Sequence, residues 1–166
     1  MGVKTIVSPN SICTTAPEST TIFLAGSIKP GVAREWQKDV IKEFNQIENS
    51  SITIFNPKRE DWNEDWNSMK SPEFYQQTNW EMNGLDKCDI IFMYFDPNCV
   101  SIISVLELGL HASSEKIIVC CPEEYWRRGN VEAVCEKYGI PFFEDFETAK
   151  ASLLNMFNGN TSLLFG

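Results

Sequence analysis

Asp89-Ile90-Ile91-Phe92-Met93-Tyr94-Phe95 is the stretch that decides the fold. It is apolar on both faces, with no polar–apolar alternation. A strand with one wet face alternates; a parallel strand covered by helices on both sides does not. The same logic repeats outward. Upstream, Pro72 opens an expected helix through about Lys87, proline being suited to a first helical turn. Downstream, Ser101 to Ser113 reads as a helix and Lys116 to Cys121 as the next strand. Toward the N-terminus, Thr21 to Ala25 is a strand. Val32 to Ile47 then sets Trp36, Val40, Ile41, Phe44 and Ile47 on one helical stripe. Ile52 to Phe55 is a strand stopped by Asn56-Pro57. Toward the C-terminus, a helix over Asn130 to Tyr138, with Asn130 as its cap, is closed by Gly139. A short strand (Ile140 to Phe143) and a helix capped by Asp145 and running to Phe157 follow.

Strands alternating with helices imply an α/β fold with a doubly wound parallel sheet, here of five strands in the order 2-1-3-4-5. Residues 1–20, rich in Ser, Thr and Pro, read as a flexible arm. Residues 21–157 form one domain and 158–166 a tail. In such a sheet a ligand lies outside the carboxyl ends of the strands, near the switch between the first and third. That rule selects the loops 26–31, 56–70, 96–101 and 122–130.

The chain has 166 residues, of which 43% are hydrophobic, enough for one sizeable core. Its 14 basic and 23 acidic residues give a net charge of −9. Nucleic-acid polymers and anionic membranes attract clustered Lys and Arg, so neither is an expected partner. No apolar run approaches the length of a membrane span, and Thr5-Ile6-Val7 is too short for a signal-peptide core. Six cysteines without a C-x-x-C pair, and a single histidine, lack the spacing of zinc sites, so no metal is expected. Cys88, Cys120 and Cys121 lie in or beside apolar runs, which points to a reduced, cytoplasmic protein.

Among polar residues Glu107 is the most informative. It sits in Val105-Leu106-Glu107-Leu108-Gly109, where a buried charge needs a reason. It is either a nucleophile or acid at the strand ends or a residue on a solvent face. Glu81, in Asn79-Trp80-Glu81-Met82, lies on a helix running back along the buried strand. At ~1.5 Å per helical residue against ~3.3 Å per strand residue, it is carried toward the same end as Glu107. The alternative is an ordinary solvated helix glutamate. Gly26-Ser27-Ile28-Lys29 leads toward a helix N-terminus, suited to an anion or a sugar hydroxyl or simply to a tight turn. It lacks the dinucleotide and triphosphate glycine patterns. His111 reads as a core or surface imidazole rather than a catalytic one. Trp62, Trp66 and Trp126 on loops either stack on a base or pack their own loops.

Five motifs then occur in order: Thr21-Ile22-Phe23-Leu24-Ala25-Gly26-Ser27-Ile28, Asn56-Pro57-Lys58-Arg59 with Asp61-Trp62, Gln77-Thr78-Asn79-Trp80-Glu81, Leu106-Glu107-Leu108-Gly109, and Trp126-Arg127-Arg128-Gly129-Asn130-Val131. Together they resemble the nucleoside 2-deoxyribosyltransferase-like family over about residues 21–145. The resemblance implies a flavodoxin-like fold and cleavage of the N-glycosidic bond of a (2′-deoxy)nucleoside, with sugar transfer to another nucleobase and no cofactor. It puts the nucleophile on Glu107, through a covalent deoxyribosyl-enzyme, and the acid that holds or protonates the departing base on Glu81, where relatives often carry Asp. The implied substrate contacts are Gly26, Ser27, Lys29, Phe23, Asn56, Trp62, Ser101 and Asn130.

Two positions depart from the transferases. Phe23 stands where they have a Tyr, and Ser101 where they have an Asp touching the sugar. The related 2′-deoxynucleoside 5′-phosphate N-hydrolases also have a Ser there, and an Arg at the position of Lys29. Ser27, Lys29 and Ser101 are therefore candidates for a 5′-phosphate site, and hydrolysis of a nucleoside monophosphate is the alternative reaction. The family also implies a homodimer or larger assembly, with Asn130 or the Trp126 loop reaching into a neighbour's pocket. A non-catalytic nucleoside-binding protein is the alternative from another class, since one fold hosts many functions. A flavin carrier is a third idea.

Overall fold

The computed structural model describes residues 2–47 and 51–158. In chain order the elements are β1 (Val3–Val7), β2 (Thr20–Gly26), α1 (Trp36–Phe44), β3 (Ile52–Asn56), α2 (Pro72–Lys87), β4 (Ile90–Tyr94), α3 (Ile102–His111), β5 (Ile117–Cys120), α4 (Arg128–Tyr138), β6 (Phe142–Phe143) and α5 (Phe146–Asn155). The sheet is parallel throughout, in the order β1-β3-β2-β4-β5-β6.

The sheet has six strands where five are expected, which corrects the strand count. The extra strand is β1, from the stretch read as a flexible arm. It pairs with β3 from Val3↔Ile52 to Val7↔Asn56. As an edge strand it needs only one buried side chain, Ile6, and it is held largely by backbone hydrogen bonds. With β1 set aside, the remaining strands keep the order 2-1-3-4-5. The tail reading lies outside the described residues beyond Asn158.

Period-two alternation along the strands feeds two cores. Ile22 and Leu24 of β2, with Phe92 and Tyr94 of β4, face Trp36, Val40 and Phe44 of α1 and Phe146 and Leu153 of α5. Phe23 and Ala25, with Ile91 and Met93, face Trp80 and Leu85 of α2, Leu108 of α3 and Val131 of α4. All five residues of β4 are buried, as its unbroken apolar run requires.

Local chemistry sets the helix ends. Ser71 caps α2 ahead of Pro72 by accepting from the Phe74 N–H, and Asp145 caps α5 by accepting from the Thr148 N–H at 2.7 Å. Gly139 closes α4 with φ of 66°. Of the boundaries that differ from expectation, three have a clear local cause. Helix α1 starts at Trp36 rather than Val32, because the Pro30-Gly31 turn folds the Val32 and Ala33 N–H groups back onto the Lys29 carbonyl. Helix α4 starts at Arg128, so Asn130 is its third residue and not its cap. Strand β6 is confined to two residues by Pro141, whose carbonyl accepts from Val119 but which has no N–H to donate. Among the described residues no helix is long and apolar enough to cross a membrane.

Candidate active site

The carboxyl ends of β2 and β4 meet in a tight knot. Gly26 ends β2 at φ of 130°, and a Cβ there would fall 2.2 Å from the Tyr94 carbonyl oxygen, so glycine lets β2 lie against β4. The next residue, Ser27, is buried. Its N–H donates to that same carbonyl, its Oγ accepts from the Asp96 N–H at 2.7 Å, and it shares a hydrogen bond of 2.5 Å with Ser101 Oγ. Ser101 holds a left-handed conformation (φ 51°) immediately before α3. The structure therefore brings Ser27 and Ser101 together. Lys29 projects into solvent from the same loop, near enough to Cys99 for its charge to act on that thiol.

Glu107 lies midway along α3 and Glu81 in the second half of α2. Both are partly covered. Burial and the charge of Glu81 push the Glu107 carboxyl up to about 8. Burial also raises Glu81, against the opposing effect of a hydrogen bond from Gln77. With the Glu107 carboxyl raised to about 8, the pair carries at least one proton around neutral pH. Such a pair can present one ionised oxygen and one acid. Helix α2 comes close to the sheet because of Gly84, three residues after Glu81. A Cβ on Gly84 would lie 2.7 Å from the Phe23 ring.

The remaining candidates lie on the strands, loops and helices around these residues. Phe23 belongs to the core: it is 1% exposed and its ring packs on Trp80 at 5.8 Å and against Gly84, which corrects its expected place as a substrate contact. The reason is β2's alternation, which turns residue 23 under α2. Asn56 ends β3, and its side chain accepts from the Lys58 N–H to open the following loop. In that loop Trp62 packs edge-on against Trp66 at 5.6 Å and against Phe74 of α2. Arg59, nearly covered, forks onto the Asp61 carboxylate through Nε and Nη2, both at 2.8 Å. Tyr125 Oη and Trp126 Nε1 both donate to the Val100 carbonyl, at 2.7 and 3.0 Å, tying the loop after β5 to the start of α3. Asn130 is exposed on α4. His111 ends α3, one turn after Glu107, and Asp86 and Lys116 are the charges acting on it.

Two contributors escape a reading of the sequence alone. Gly84 has no turn or cap signal. Gln77 donates to Glu81 Oε1 at 2.8 Å, and its only local sign is the i,i+4 spacing on one helix face.

A family model described as nucleoside 2-deoxyribosyltransferase like matches residues 19–125, from the start of β2 to the loop after β5. That span contains both carboxyls, the Ser27–Ser101 knot and Gln77. A search of curated proteins finds no match.

Proposed function

Because the chain belongs to the nucleoside 2-deoxyribosyltransferase-like family, we propose that it cleaves the N-glycosidic bond of 2′-deoxynucleosides and passes the sugar to another nucleobase. One observation carries the reading: Glu81 acts electrostatically on Glu107 in a partly buried setting, on helices flanking the carboxyl ends of a doubly wound, flavodoxin-like sheet. The pair's proton passes from Glu107 to Glu81, and the ionised Glu107 oxygen so formed attacks C1′ as the C1′–N bond breaks. Its electron pair stays with the base, which takes a proton from Glu81. The product is a deoxyribosyl ester of Glu107. An incoming base then attacks C1′, gives its proton to Glu81 and releases the Glu107 carboxylate, with retention of configuration. Gly26, Ser27, Ser101 and the Asn56–Trp62 segment frame the sugar side.

A second reading is hydrolysis of a 5′-monophosphate, favoured by Ser27 and Ser101 joined at the N-terminus of α3 with Lys29 free to swing over them. A second copy of this chain is the proposed partner. Val100, Ile102, Ile103, Leu106, Leu110 and Trp126 are all more than half exposed beside Glu107. Copies carrying −9 charge each approach most readily on such an uncharged face. Free thiols at all six cysteines, five of them buried, fit a reducing cytoplasm.

The test is incubation with 2′-deoxynucleosides, with and without an acceptor base, followed by chromatography. Base exchange supports transfer. Free base and sugar, or turnover of monophosphates alone, moves the assignment to hydrolysis. Tight nucleoside binding without product makes the protein a binding module.

A further inference from the structure

Gln77 is 6% exposed, and its amide is held from three directions. Its Nε2 donates to the Pro57 carbonyl at 2.9 Å and to Glu81 Oε1 at 2.8 Å, while its Oε1 accepts from Ser8 Oγ at 2.6 Å. The carbonyl only accepts, so the nitrogen must face it and Glu81, and the oxygen must face Ser8. Ser8 is itself buried and anchored by its N–H to the Asn56 carbonyl at 3.1 Å. Three separate segments thus converge on one amide: the residue after β1, the turn after β3, and α2. A leucine or methionine would fill the same space without burying polar atoms. The polar choice sits one helical turn before the proposed acid.

An N–H aimed at Glu81 Oε1 disfavours a proton on that oxygen, because the hydroxyl oxygen of an acid is the weaker acceptor of the two. It tolerates one on Oε2, since the Oε1 carbonyl of an acid still accepts.

We propose that Gln77 is the positioning residue for Glu81: it occupies Oε1, so that Oε2 exchanges the proton with the nucleobase, and Ser8 and the Pro57 carbonyl lock the amide that does this. The proposal rests on the reading of Glu81 as the acid. The other titratable group of the pair is Glu107 of α3, which Glu81 acts on and which the removal of Gln77 leaves in place.

The experiment compares wild type with Gln77→Met and Ser8→Ala on two donors. One is a 2′-deoxynucleoside, whose base leaves with a proton. The other is a 2-deoxyribosyl donor with a p-nitrophenolate leaving group, which needs none. Gln77→Met is expected to lower kcat on the nucleoside about 10–100-fold, a part of the roughly 10²–10⁴-fold that a general acid contributes. It should change KM under about threefold and leave the activated donor within about threefold. Ser8→Ala should show the same selectivity at smaller size, and it carries the test if Gln77→Met does not fold. Equal losses on both donors, or none on either, overturn the proposal. A second readout does not need turnover: 13C NMR titration of labelled glutamates, with Glu81 assigned through Glu81→Gln. Loss of the Gln77 donor should move the Glu81 midpoint upward, and an unmoved midpoint overturns the hold on Glu81. A wild type inactive on both donors defeats the enzymatic reading itself, while the titration still decides whether Gln77 governs Glu81.

Discussion

Glu81 on α2 raises the proton affinity of Glu107 on α3, and burial raises both. The two acids are 26 positions apart in the chain and meet because β4 runs between their helices and returns the chain to the same end of the sheet.

The pair sets a pH profile. The productive state holds one proton, so kcat/KM should be bell-shaped, with the alkaline limb near the value of about 8 reached by Glu107. Glu81→Gln removes the charge that raises Glu107 and should bring the Glu107 ionisation down toward the ordinary carboxylate range. It should also slow nucleoside cleavage about 10²-fold or more. Rates measured from pH 4 to 10 check both.

Glu107 also costs stability. Its pKa is raised in the folded chain, so the folded state binds more protons than the unfolded one between about 4.5 and 8. Stability is therefore fully retained below about pH 4.5 and falls as pH rises toward 8. Glu107→Gln should be more stable than wild type at pH 8 by about 1–3 kcal/mol, a discounted reading of the shift. The difference should close near pH 4.5, and cleavage should drop about 10³-fold or more. Thermal melts across that range read the first effect and chromatography the second.

Gly26 tolerates no side chain. With φ of 130° and the Tyr94 carbonyl 2.2 Å from a Cβ, Gly26→Ala must part β2 from β4 or distort the knot holding Ser27. The expected loss is about 3 kcal/mol or more, visible in a urea unfolding curve.

Gly84→Ala is subtler. The added Cβ meets the Phe23 ring rather than backbone, so α2 should shift outward and carry Glu81 with it. Nucleoside cleavage should fall more than stability does. Phe23→Leu in the same chain should recover part of it by making room, as a double-mutant cycle would show.

The α3 face gives an assembly prediction. Leu106→Asp places a charge amid Ile102, Ile103 and Leu110, all exposed in the single chain. Sedimentation should show wild type as a dimer or larger and the variant as a monomer. A monomeric wild type would reject this face as the interface.

Much of the fold was legible in the residues. The unbroken apolar run of β4 announced a parallel strand buried on both faces, Pro72 and Asp145 announced helix starts, and Gly139 announced a helix end. Glu107 was legible as an acid out of place in an apolar helix, and the motif order pointed to the family. These are local signals, carried by a few adjacent residues and the period of the element containing them. Tertiary structure alone decided the rest. Strand β1 gains its place from a backbone ladder supplied by β3, about 50 residues later, which its own side chains do not advertise. Phe23 went into the core because α2, brought close at Gly84, covers it. Gln77 is fixed in place because Ser8, 69 residues away, and the Pro57 carbonyl, 20 away, close on its amide. Periodicity in a chain specifies which face of each element is buried; which distant polar atoms then share that burial is settled only when the elements pack.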